Sequence, residues 1–279
     1  MKKVLMSMFL LAHVAMAKAQ VSSEVGYTLG TSNYLGDLQS ADYSYRNQHL
    51  FSGIFGRYNA NAQLAFRGFF NYGRVSGNDK NSGEQDLIKR NLSFRTNIIE
   101  LGLQAEINVL PFNKFDPNKK KAKRYFNWTP YFFGGINLFQ FNPKTFYNGN
   151  WIALQPLCTE GQNTSFNSQK EYSLTQVAIP FGIGLKFQVN PKLCVGLELG
   201  ARKTFTDYLD DVSGNYPDFA KLANEKGPLS TILSFRGDEL PGFVPSQYPA
   251  IGDVRGHSDN LDWYLTNTIS LSYRFYSKR

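Results

Sequence analysis

The C-terminal segment from Trp263 to Phe275 alternates apolar and polar side chains, and this pattern constrains the fold more than any other feature. Its apolar face carries Trp263, Leu265, Ile269, Leu271, Tyr273 and Phe275, with the polar Asn267 among them. A period of two belongs to a β-strand whose two faces meet different media. The edge of a soluble sheet alternates over about five or six residues, whereas a tilted membrane strand needs about ten. The length of the segment therefore favours a membrane-spanning strand.

The same alternation recurs in earlier parts of the chain. It is clear at residues 99–109, 177–189 and 193–199, and weaker at residues 25–30, 50–58, 63–72 and 128–141. With the terminal segment, these make eight strands. Hydropathy averages out along such strands, so a membrane barrel needs no long apolar stretch. We therefore predict an all-β fold, an eight-stranded antiparallel transmembrane β-barrel with long outer loops.

The links between the predicted strands alternate between short and long. Strands two and three meet at residues 59–62, and strands six and seven meet at residues 190–192, where Asn and Pro suit tight turns. The long links cover residues 35–49, 76–92, 142–172 and 206–260. Outer-membrane barrels have short periplasmic turns and long outer loops. The even number of strands then predicts both termini on the periplasmic side, and the last long link could lie over the barrel mouth as a lid.

The link between strands four and five breaks this rule, because it is long although it must be a periplasmic turn. Residues 111–125 hold one acidic residue and six basic ones, Lys114, Lys119, Lys120, Lys121, Lys123 and Arg124, a net charge of +5. Removing Lys2, Lys3 and Lys18 from the 30 Lys and Arg leaves 27, and 27 − 22 acidic residues is also +5. The excess positive charge therefore lies in one turn, which we expect to meet an acidic protein surface or anionic lipid head groups.

The N-terminus has the features of a secretory signal peptide, predicted at residues 1–19. A basic start precedes an apolar run at residues 4–17, and Ala17-Lys18-Ala19 offers small residues where signal peptidase reads. The apolar run is shorter than the ~20 residues of a membrane-spanning helix. We expect residues 20–279 to form the barrel domain in the outer membrane. Nucleic acid is not expected as a partner of an exported protein.

Pointing the apolar faces at lipid places several charged residues inside the barrel. Eight strands enclose a space that side chains can fill, and an unpaired buried charge is costly. Because the acids and bases are of similar number, we predict an ion-pair network in the lumen and no conducting pore. The alternative is that some of these residues face water at the rims. The predicted members are Glu24, Glu100, Glu106, Lys186, Glu198, Arg202 and Arg274.

Residues that could carry catalysis are few, and we predict that the protein is not an enzyme. His49 and His257 are the histidines that follow the predicted leader, and neither is spaced with a Ser and an acid as a hydrolase requires. The sequence has no pattern typical of a phosphate loop, a zinc site or an EF-hand. No cofactor is therefore expected.

Two smaller groups of residues leave alternatives open. Asp207, Asp210 and Asp211 could hold a calcium ion, although a solvated rim is the commoner arrangement. Cys158 falls in a long loop, and Cys194 falls near the start of a strand at the other end of the barrel. A disulfide needs Cα atoms within about 7 Å, so we expect none between them.

Two motifs carry a resemblance to a known family. Residues 33–38 read NYLGDL after the first strand, and residues 202–216 read RKTFTDYLDDVSGNY after the seventh. Together with the terminal strand, they resemble the OmpA-like barrels of Bacteroidota, and among these the barrel proteins of the type IX secretion system. The likeness extends over essentially the whole mature chain. It implies a family motif on the outer rim that contains Asp207, Tyr208, Asp210 and Asp211.

The resemblance also implies a function. It points to an outer-membrane subunit of the type IX protein export and gliding machinery, associated with a periplasmic ring built from the lipoprotein PorK and its partner PorN, and with other secretion components. It supplies no catalytic residues. The basic turn at residues 111–125 would be the surface that docks the ring.

Two other functions remain open. The protein could be an independent structural or adhesive barrel that uses its long outer loops, or an outer-membrane enzyme that acts on lipid. A secretion defect on deletion would separate the secretion subunit from the independent barrel. A Ser–His pair in contact in the structure would favour the enzyme that acts on lipid.

Overall fold

The structure is a computed structural model that describes residues 21–39, 47–112 and 127–276. The predicted leader at residues 1–19 lies outside the described residues. So do the six basic residues of the predicted docking turn, Lys114, Lys119, Lys120, Lys121, Lys123 and Arg124.

The described chain forms a closed antiparallel barrel of eight long strands, with a short two-stranded hairpin attached. The strands are β1 (Ser22–Leu35), β2 (His49–Asn59), β3 (Leu64–Asn78), β4 (Ser93–Asn108), β5 (Asn127–Gln140), β6 (Lys144–Tyr147), β7 (Asn150–Ala153), β8 (Thr175–Gln188), β9 (Leu193–Thr204) and β10 (Trp263–Tyr276). All but β6 and β7 belong to the barrel, each pairing antiparallel with its two neighbours, and the β1–β10 and β3–β4 ladders complete the ring. The predicted eight-stranded barrel is confirmed.

Several barrel strands are longer than the alternation of the sequence predicts. The alternation that ends at residue 72 continues as β3 to Asn78, inside the predicted link at residues 76–92. The first residue of β4, Ser93, follows that predicted link directly, although the alternation of this strand is clear only from residue 99. A strand rises about 3.3 Å per residue, so fifteen residues of β3 extend roughly 50 Å. A membrane needs only about ten tilted residues. The extra length projects beyond the membrane. There the outward residues include Arg74 and Arg95, whereas Val75 and Phe94 face inward and are buried, so the apolar-outward pattern ends.

Two tight turns at one end of the barrel use the same side-chain hydrogen bonds. In the β2–β3 turn, Asn61 Oδ1 accepts from the backbone N–H groups of Gln63 and Leu64, both at 2.8 Å. In the β8–β9 turn, Asn190 Oδ1 accepts from those of Lys192 and Leu193, at 2.8 and 2.9 Å. An Asn side chain stabilises a turn in this way by replacing a backbone acceptor. We call this the turn end of the barrel, and the opposite end the loop end.

The long links at the loop end are folded. The link at residues 142–172 contains the β6–β7 hairpin, which the sequence reading missed, and Lys144 of this hairpin pairs with Arg95 of β4. Helix α1 (Gln85–Arg90) lies between β3 and β4, and α2 (Phe219–Lys226) and α3 (Pro228–Ser234) lie between β9 and β10. Asp218 caps α2 by accepting from two backbone N–H groups. We call residues 36–39, 79–92, 142–174 and 205–262 together the loop cap.

A hydrophobic core joins the loop cap to the mouth of the barrel. Inward-facing residues from the ends of six strands pack with residues of the cap in one buried cluster. The cluster consists of Tyr34, Leu38, Val75, Leu92, Phe94, Ile98, Phe139, Phe141, Leu154, Tyr172, Ala178, Leu209, Val212, Leu233 and Tyr264. The link at residues 206–260 contributes Leu209, Val212 and Leu233 to it, so this link packs over the mouth. Among the described residues, no helix has the length and apolar character needed to cross a membrane.

Candidate functional site

The outer wall of the barrel is an exposed apolar belt. Outward-facing side chains along the strands are large and hydrophobic, and Leu103 has 66% of its surface exposed. Members of this belt include Val25, Tyr27, Leu29, Ile54, Phe70, Leu101, Leu103, Ile136, Leu138, Ile183, Leu199, Ile269 and Leu271. A continuous apolar wall around a closed ring of strands is stable when it faces lipid.

The interior holds buried charges in ion pairs, and near the turn end they centre on two carboxylates. Glu24 accepts from Arg57 and from Arg274, each at 2.7 Å, and also from Ser272 at 2.8 Å. Glu106 lies 2.6 Å from the Lys186 ammonium and 2.8 Å from the Arg57 guanidinium. Arg57 therefore bridges two carboxylates that come from different sides of the barrel.

Two further carboxylates continue the network toward the loop end. Glu198 accepts from the Arg67 guanidinium at 2.6 Å and from the Tyr131 hydroxyl at 2.7 Å. Glu100 accepts from the Tyr264 hydroxyl and lies 3.4 Å from Nε of Arg202. The network thus extends along most of the barrel axis.

The structure places all seven residues of the predicted lumen network inside the barrel, and the most exposed of them, Glu198, has only 8% of its surface accessible. The sequence reading missed Arg57 and Arg67, which complete the charge pairing. They raise the interior count, among the described residues of the network, to four carboxylates and five cations.

Aromatic rings occupy the space between these charges. Phe55 lies beneath the Arg67 guanidinium, 3.9 Å from ring centroid to Cζ, and Tyr131 lies 4.3 Å from the Lys186 ammonium. Phe51, Phe55 and Phe69 of β2 and β3 are buried. Because these two strands carry aromatic residues on both faces, their alternation is weak, and Arg57 and Arg67 are difficult to assign from sequence.

The acidic residues of the second motif are buried in the loop cap. Asp207 has 5% of its surface exposed, and Asp210 and Asp211 have 1% each, so the expectation of a solvated rim is wrong. The cap folds over them because the motif lies beneath α3 and the loop at residues 155–174. Among the residues that the structure covers, no group of three His, Cys, Asp or Glu side chains could hold a metal ion.

The two motifs of the resemblance touch each other in the cap. The Tyr34 hydroxyl lies 2.5 Å from Asp210 and 2.9 Å from Asp262, which the sequence reading did not single out. Asp37 of the first motif accepts from the backbone N–H of His257 at 3.0 Å. Asp262 also accepts from the backbone N–H of Leu209 at 2.8 Å. The motifs therefore tie the end of β1 to the link that precedes β10.

The carboxyl groups of this cluster hold their protons more tightly than in water. Burial raises the pKa of Asp210, and the neighbouring Asp37 adds to the effect. Burial also raises the pKa of Asp262, with Asp210 as the next cause. Burial raises the pKa of Asp207 to about 9. The cluster is therefore stable in a form that retains protons, since several adjacent buried carboxylates would repel one another.

Two buried arginines join the separate links of the cap. Arg255 donates to Glu160 at 2.8 Å and to the backbone carbonyl of Asp211 at 2.6 Å. Arg90 pairs with Asp79 at 2.7 Å and donates to the backbone carbonyl of Asp37 at 2.9 Å. Arg90 also donates to the backbone carbonyl of Arg255. None of these pairings is visible in sequence, because the partners are far apart along the chain.

Tyr208 and Asp211 complete the second motif inside the cap. The ring of Tyr208 stacks on Tyr172 with centroids 4.6 Å apart, and its hydroxyl lies 3.2 Å from Glu160. Asp211 accepts from the hydroxyls of Thr159 and Tyr172, both at 2.6 Å. Tyr208, Asp210 and Asp211 of the motif thus hold the cap together.

The remaining candidate residues lie in separate places. Cys158 is free in the loop cap, and Cys194 is free inside the barrel near the turn end. His257 is exposed and lies 3.5 Å from Asp37. His49 Nε2 lies 2.7 Å from the Ser76 hydroxyl, so a Ser–His pair is present. The charged groups next to this imidazole are Arg74 and Arg95 rather than an acid.

A closed ring of strands with an apolar belt outside and a charged interior defines a class, the transmembrane β-barrels of outer-membrane type. The chain belongs to the family described as "Domain of unknown function (DUF6089)", whose sequence profile matches residues 2–226. No curated protein sequence matches the chain.

Solved structures of similar fold are other bacterial barrels. The chain is similar to the attachment invasion locus protein Ail of Yersinia pestis in complex with the heparin analogue sucrose octasulfate, with 11% identity, 92% of this chain and 99% of that chain covered, and a TM-score of 0.37. It is also similar to OprG from Pseudomonas aeruginosa, with 9% identity, coverage of 93% and 97%, and a TM-score of 0.38. Neisserial surface protein A is similar as well, with 9% identity, coverage of 91% of this chain and 97% of that chain, and a TM-score of 0.38. At these identities the likeness concerns the fold alone.

Proposed function

We propose that the protein is a non-enzymatic outer-membrane subunit of the type IX secretion and gliding machinery, similar to the barrel protein PorG, which anchors the periplasmic ring of PorK and PorN. In this proposal both termini face the periplasm and the loop cap faces outward. The observation that supports it is the barrel interior, which is filled with paired charges and closed by the cap. Such a barrel suits an anchor better than a channel.

The proposed contact with the ring is the basic turn at residues 111–125. Its net charge of +5 would attract an acidic surface at short range, because the Debye length is about 8 Å at physiological salt. The two short turns at the same end offer little additional surface, since each has fewer than about six residues. The basic turn is therefore the surface on which a periplasmic partner would have most contact.

The test replaces Lys114, Lys119, Lys120, Lys121, Lys123 and Arg124 by Ser and measures how much PorK and PorN co-purify from native membranes. We expect a marked loss of the ring, and a salt titration of the wild type should show the same loss. A matched control is Lys192→Ser, which removes a cation from the short β8–β9 turn at the same end. Full recovery of the ring with the six-residue variant would contradict the docking proposal.

The alternative is an independent OmpA-like barrel with a structural or adhesive role. Deletion of the protein separates the two, because only the first proposal requires a defect in secretion of type IX cargo. Stable single-channel currents of the purified barrel in planar bilayers would contradict the prediction that the barrel has no conducting pore.

The contact between His49 and Ser76 bears on the third function, an outer-membrane enzyme that acts on lipid. A hydrolase needs a third group that orients the imidazole, and a positive environment opposes the imidazolium that forms during catalysis. The neighbours Arg74 and Arg95 supply that positive environment. We expect no labelling of Ser76 by a fluorophosphonate probe on the folded barrel. Labelling that disappears in the Ser76→Ala variant would establish the hydrolase.

A further inference from the structure

The apolar belt ends abruptly near the loop end of β3 and β4. Tyr72 pairs with Ile99 in the last apolar row, where both side chains are exposed on the outer wall. The next outward-facing row pairs Arg74 with Asn97, and the row after that pairs Ser76 with Arg95. Two arginines on adjacent strands therefore lie directly beyond the belt, on the face that meets lipid.

The β6–β7 hairpin extends this charged surface sideways. Lys144 pairs with Arg95 across the strands, so both side chains lie on the same face. Phe146 and Trp151 of the hairpin pair with each other on that face and are 49% and 41% exposed. The Arg95 guanidinium lies over the Trp151 ring, 3.2 Å from its centroid. We call Arg74, Arg95, Lys144, Phe146 and Trp151 the rim patch.

The cations of the rim patch differ from those of the interior in their partners. Within the described residues, every arginine of the lumen network lies within salt-bridge distance of a carboxylate. No carboxylate of the described chain lies within such a distance of Arg74, Arg95 or Lys144. Arg74 donates instead to the neutral Asn97 side chain at 2.9 Å. The patch therefore presents three positive charges to its surroundings without internal neutralisation.

The height of the rim patch matches the head-group layer of a membrane. Arg74 and Arg95 lie two and four residues beyond the last apolar row, about 7 and 13 Å along the strands. With a strand tilt of about 40°, these distances are roughly 5 and 10 Å along the membrane normal. The head-group layer on each side of the hydrocarbon is about 5–8 Å thick. Arg74 therefore lies within the head-group layer, and Arg95 lies just beyond its outer edge, from where a long arginine side chain can extend back to the lipid phosphates.

We propose that the rim patch binds the phosphorylated sugar head group of an outer-leaflet glycolipid, the chemistry of lipopolysaccharide. Guanidinium groups bind phosphate oxygens through paired charge-assisted hydrogen bonds, and the third cation adds attraction. The exposed parts of the Phe146 and Trp151 rings, beside the Arg95 guanidinium, offer an apolar surface that a sugar ring can contact. The assignment of the outer leaflet rests on the proposed orientation with the loop cap outward.

The experiment measures binding to the folded full-length barrel in detergent by native mass spectrometry. The probes are bisphosphorylated lipid A, dephosphorylated lipid A, phosphatidylglycerol and inorganic phosphate. The variant is the triple change Arg74→Gln, Arg95→Gln and Lys144→Gln, with folding verified by heat-modifiable mobility on gels. Two controls remove a cation that also lies over an aromatic ring elsewhere on the outer wall: Lys203→Gln beside Trp263 at the loop end, and Lys192→Gln beside Tyr273 at the turn end.

We expect the wild type to prefer bisphosphorylated lipid A over the other three probes. The triple variant should lose at least about tenfold in that affinity, because each lost charge-assisted contact is expected to weaken binding several-fold, while both controls stay within about twofold of the wild type. Equal affinity of the triple variant and the wild type would overturn the proposal. So would binding of phosphatidylglycerol or free phosphate as tight as that of lipid A.

The two proposals can fail separately. The binding experiment is made in detergent and involves residues at the loop end, whereas the ring experiment involves a turn at the opposite end. If the triple variant loses lipid A binding while the ring still co-purifies with it, the rim-patch proposal is supported. The docking proposal is then decided only by the six-residue variant of the basic turn. If the triple variant did not fold, Trp151→Leu alone would test the sugar contact, with loss of lipid A preference expected.

Discussion

The barrel interior and the loop cap both bury many charged groups, but they stabilise them in different ways. In the interior, carboxylates alternate with cations, and Arg57 alone contacts both Glu24 and Glu106. In the cap, Asp210 and Asp262 share the Tyr34 hydroxyl without a cation between them. Opposite charges neutralise one another throughout the interior, whereas the cap combines the ion pairs of Arg90 and Arg255 with a cluster of carboxyl groups that retain their protons. The difference predicts that the interior tolerates changes of pH that the cap does not.

The largest expected effect comes from breaking the charge balance of the interior. Glu106→Gln would leave Arg57 and Lys186 without the carboxylate that they share. Lys186 has only 1% of its surface exposed, so water cannot replace that carboxylate. We expect the free energy of unfolding in lipid to fall by about 3–5 kcal/mol, measured by urea titration, since an uncompensated buried charge is costly. The double variant Glu106→Gln with Lys186→Gln should recover part of this loss. A double variant as unstable as the sum of the single ones would show that the pair is not coupled.

A smaller and more local effect is expected from the cap. Arg255→Met would leave Glu160 and Asp211 without their buried cation. We expect the cap to open more readily by about 3 kcal/mol, seen as faster hydrogen exchange at residues 205–262, while the barrel strands stay protected. An equal increase of exchange in β1 to β4 would show that the cap and the barrel unfold as one unit, and the contrast between the two regions would then disappear.

The pH dependence of the cap gives a third test. Burial raises the pKa of Asp207 to about 9 and that of Asp211 to about 6. In an opened cap these carboxyl groups would titrate near their usual pKa of about 4. The closed cap therefore binds more protons than the opened one, and its stability falls as the pH rises from about 4 to the pKa values of the closed cap. We expect more cap opening at pH 9 than at pH 6, after correction for intrinsic exchange rates.

Asp207→Asn provides the control for this pH effect. It should reduce the change between pH 6 and pH 9, because one of the carboxyl groups with a raised pKa is gone, and the interior network should show no change in either protein. A cap that closes more tightly as the pH rises would reverse the sign of the argument.

The smallest expected effect concerns Tyr208 of the second motif. Tyr208→Phe keeps the ring stacked on Tyr172 but removes the hydroxyl that contacts Glu160. We expect a loss of about 1 kcal/mol in the local stability of the cap, by hydrogen exchange. Tyr208→Leu should cost more, since the stacked pair contributes about another 1 kcal/mol. Equal effects of the two changes would mean that the ring contact does not stabilise the cap.

The barrel could be predicted from sequence because its signal is local. Each strand shows its own two faces, and the strand from Trp263 to Tyr276 shows them over its whole length. Prediction became less accurate where both faces carry similar residues. Phe51 and Phe55 inside β2 resemble the aromatic residues outside it, so Arg57 was not recognised as lumenal. The end of β3 was also placed too early, and the alternation of β4 was recognised only from residue 99, because the outward residues near these ends are Arg74 and Arg95 instead of apolar ones.

The cap could not be predicted, because its contacts join residues far apart in sequence. Tyr34 and Asp262 are separated by 228 positions, and Glu160 and Arg255 by 95. The three Asp residues at positions 207, 210 and 211 suggest an exposed rim, and only the folding of α3 and the hairpin link over them makes them buried. The rim patch has the same origin, since Lys144 reaches Arg95 only through the β6–β7 hairpin.

The sequence by itself determined the number of barrel strands, the lipid-facing side of the clearly alternating ones and seven of the charges that lie inside, because a period of two gives every residue a face without knowledge of its neighbours. The tertiary structure alone decided how those charges pair, which carboxyl groups keep their protons in the cap and where cations gather beyond the belt. These properties depend on distances between strands and loops, and such distances exist only once the ring of strands has closed.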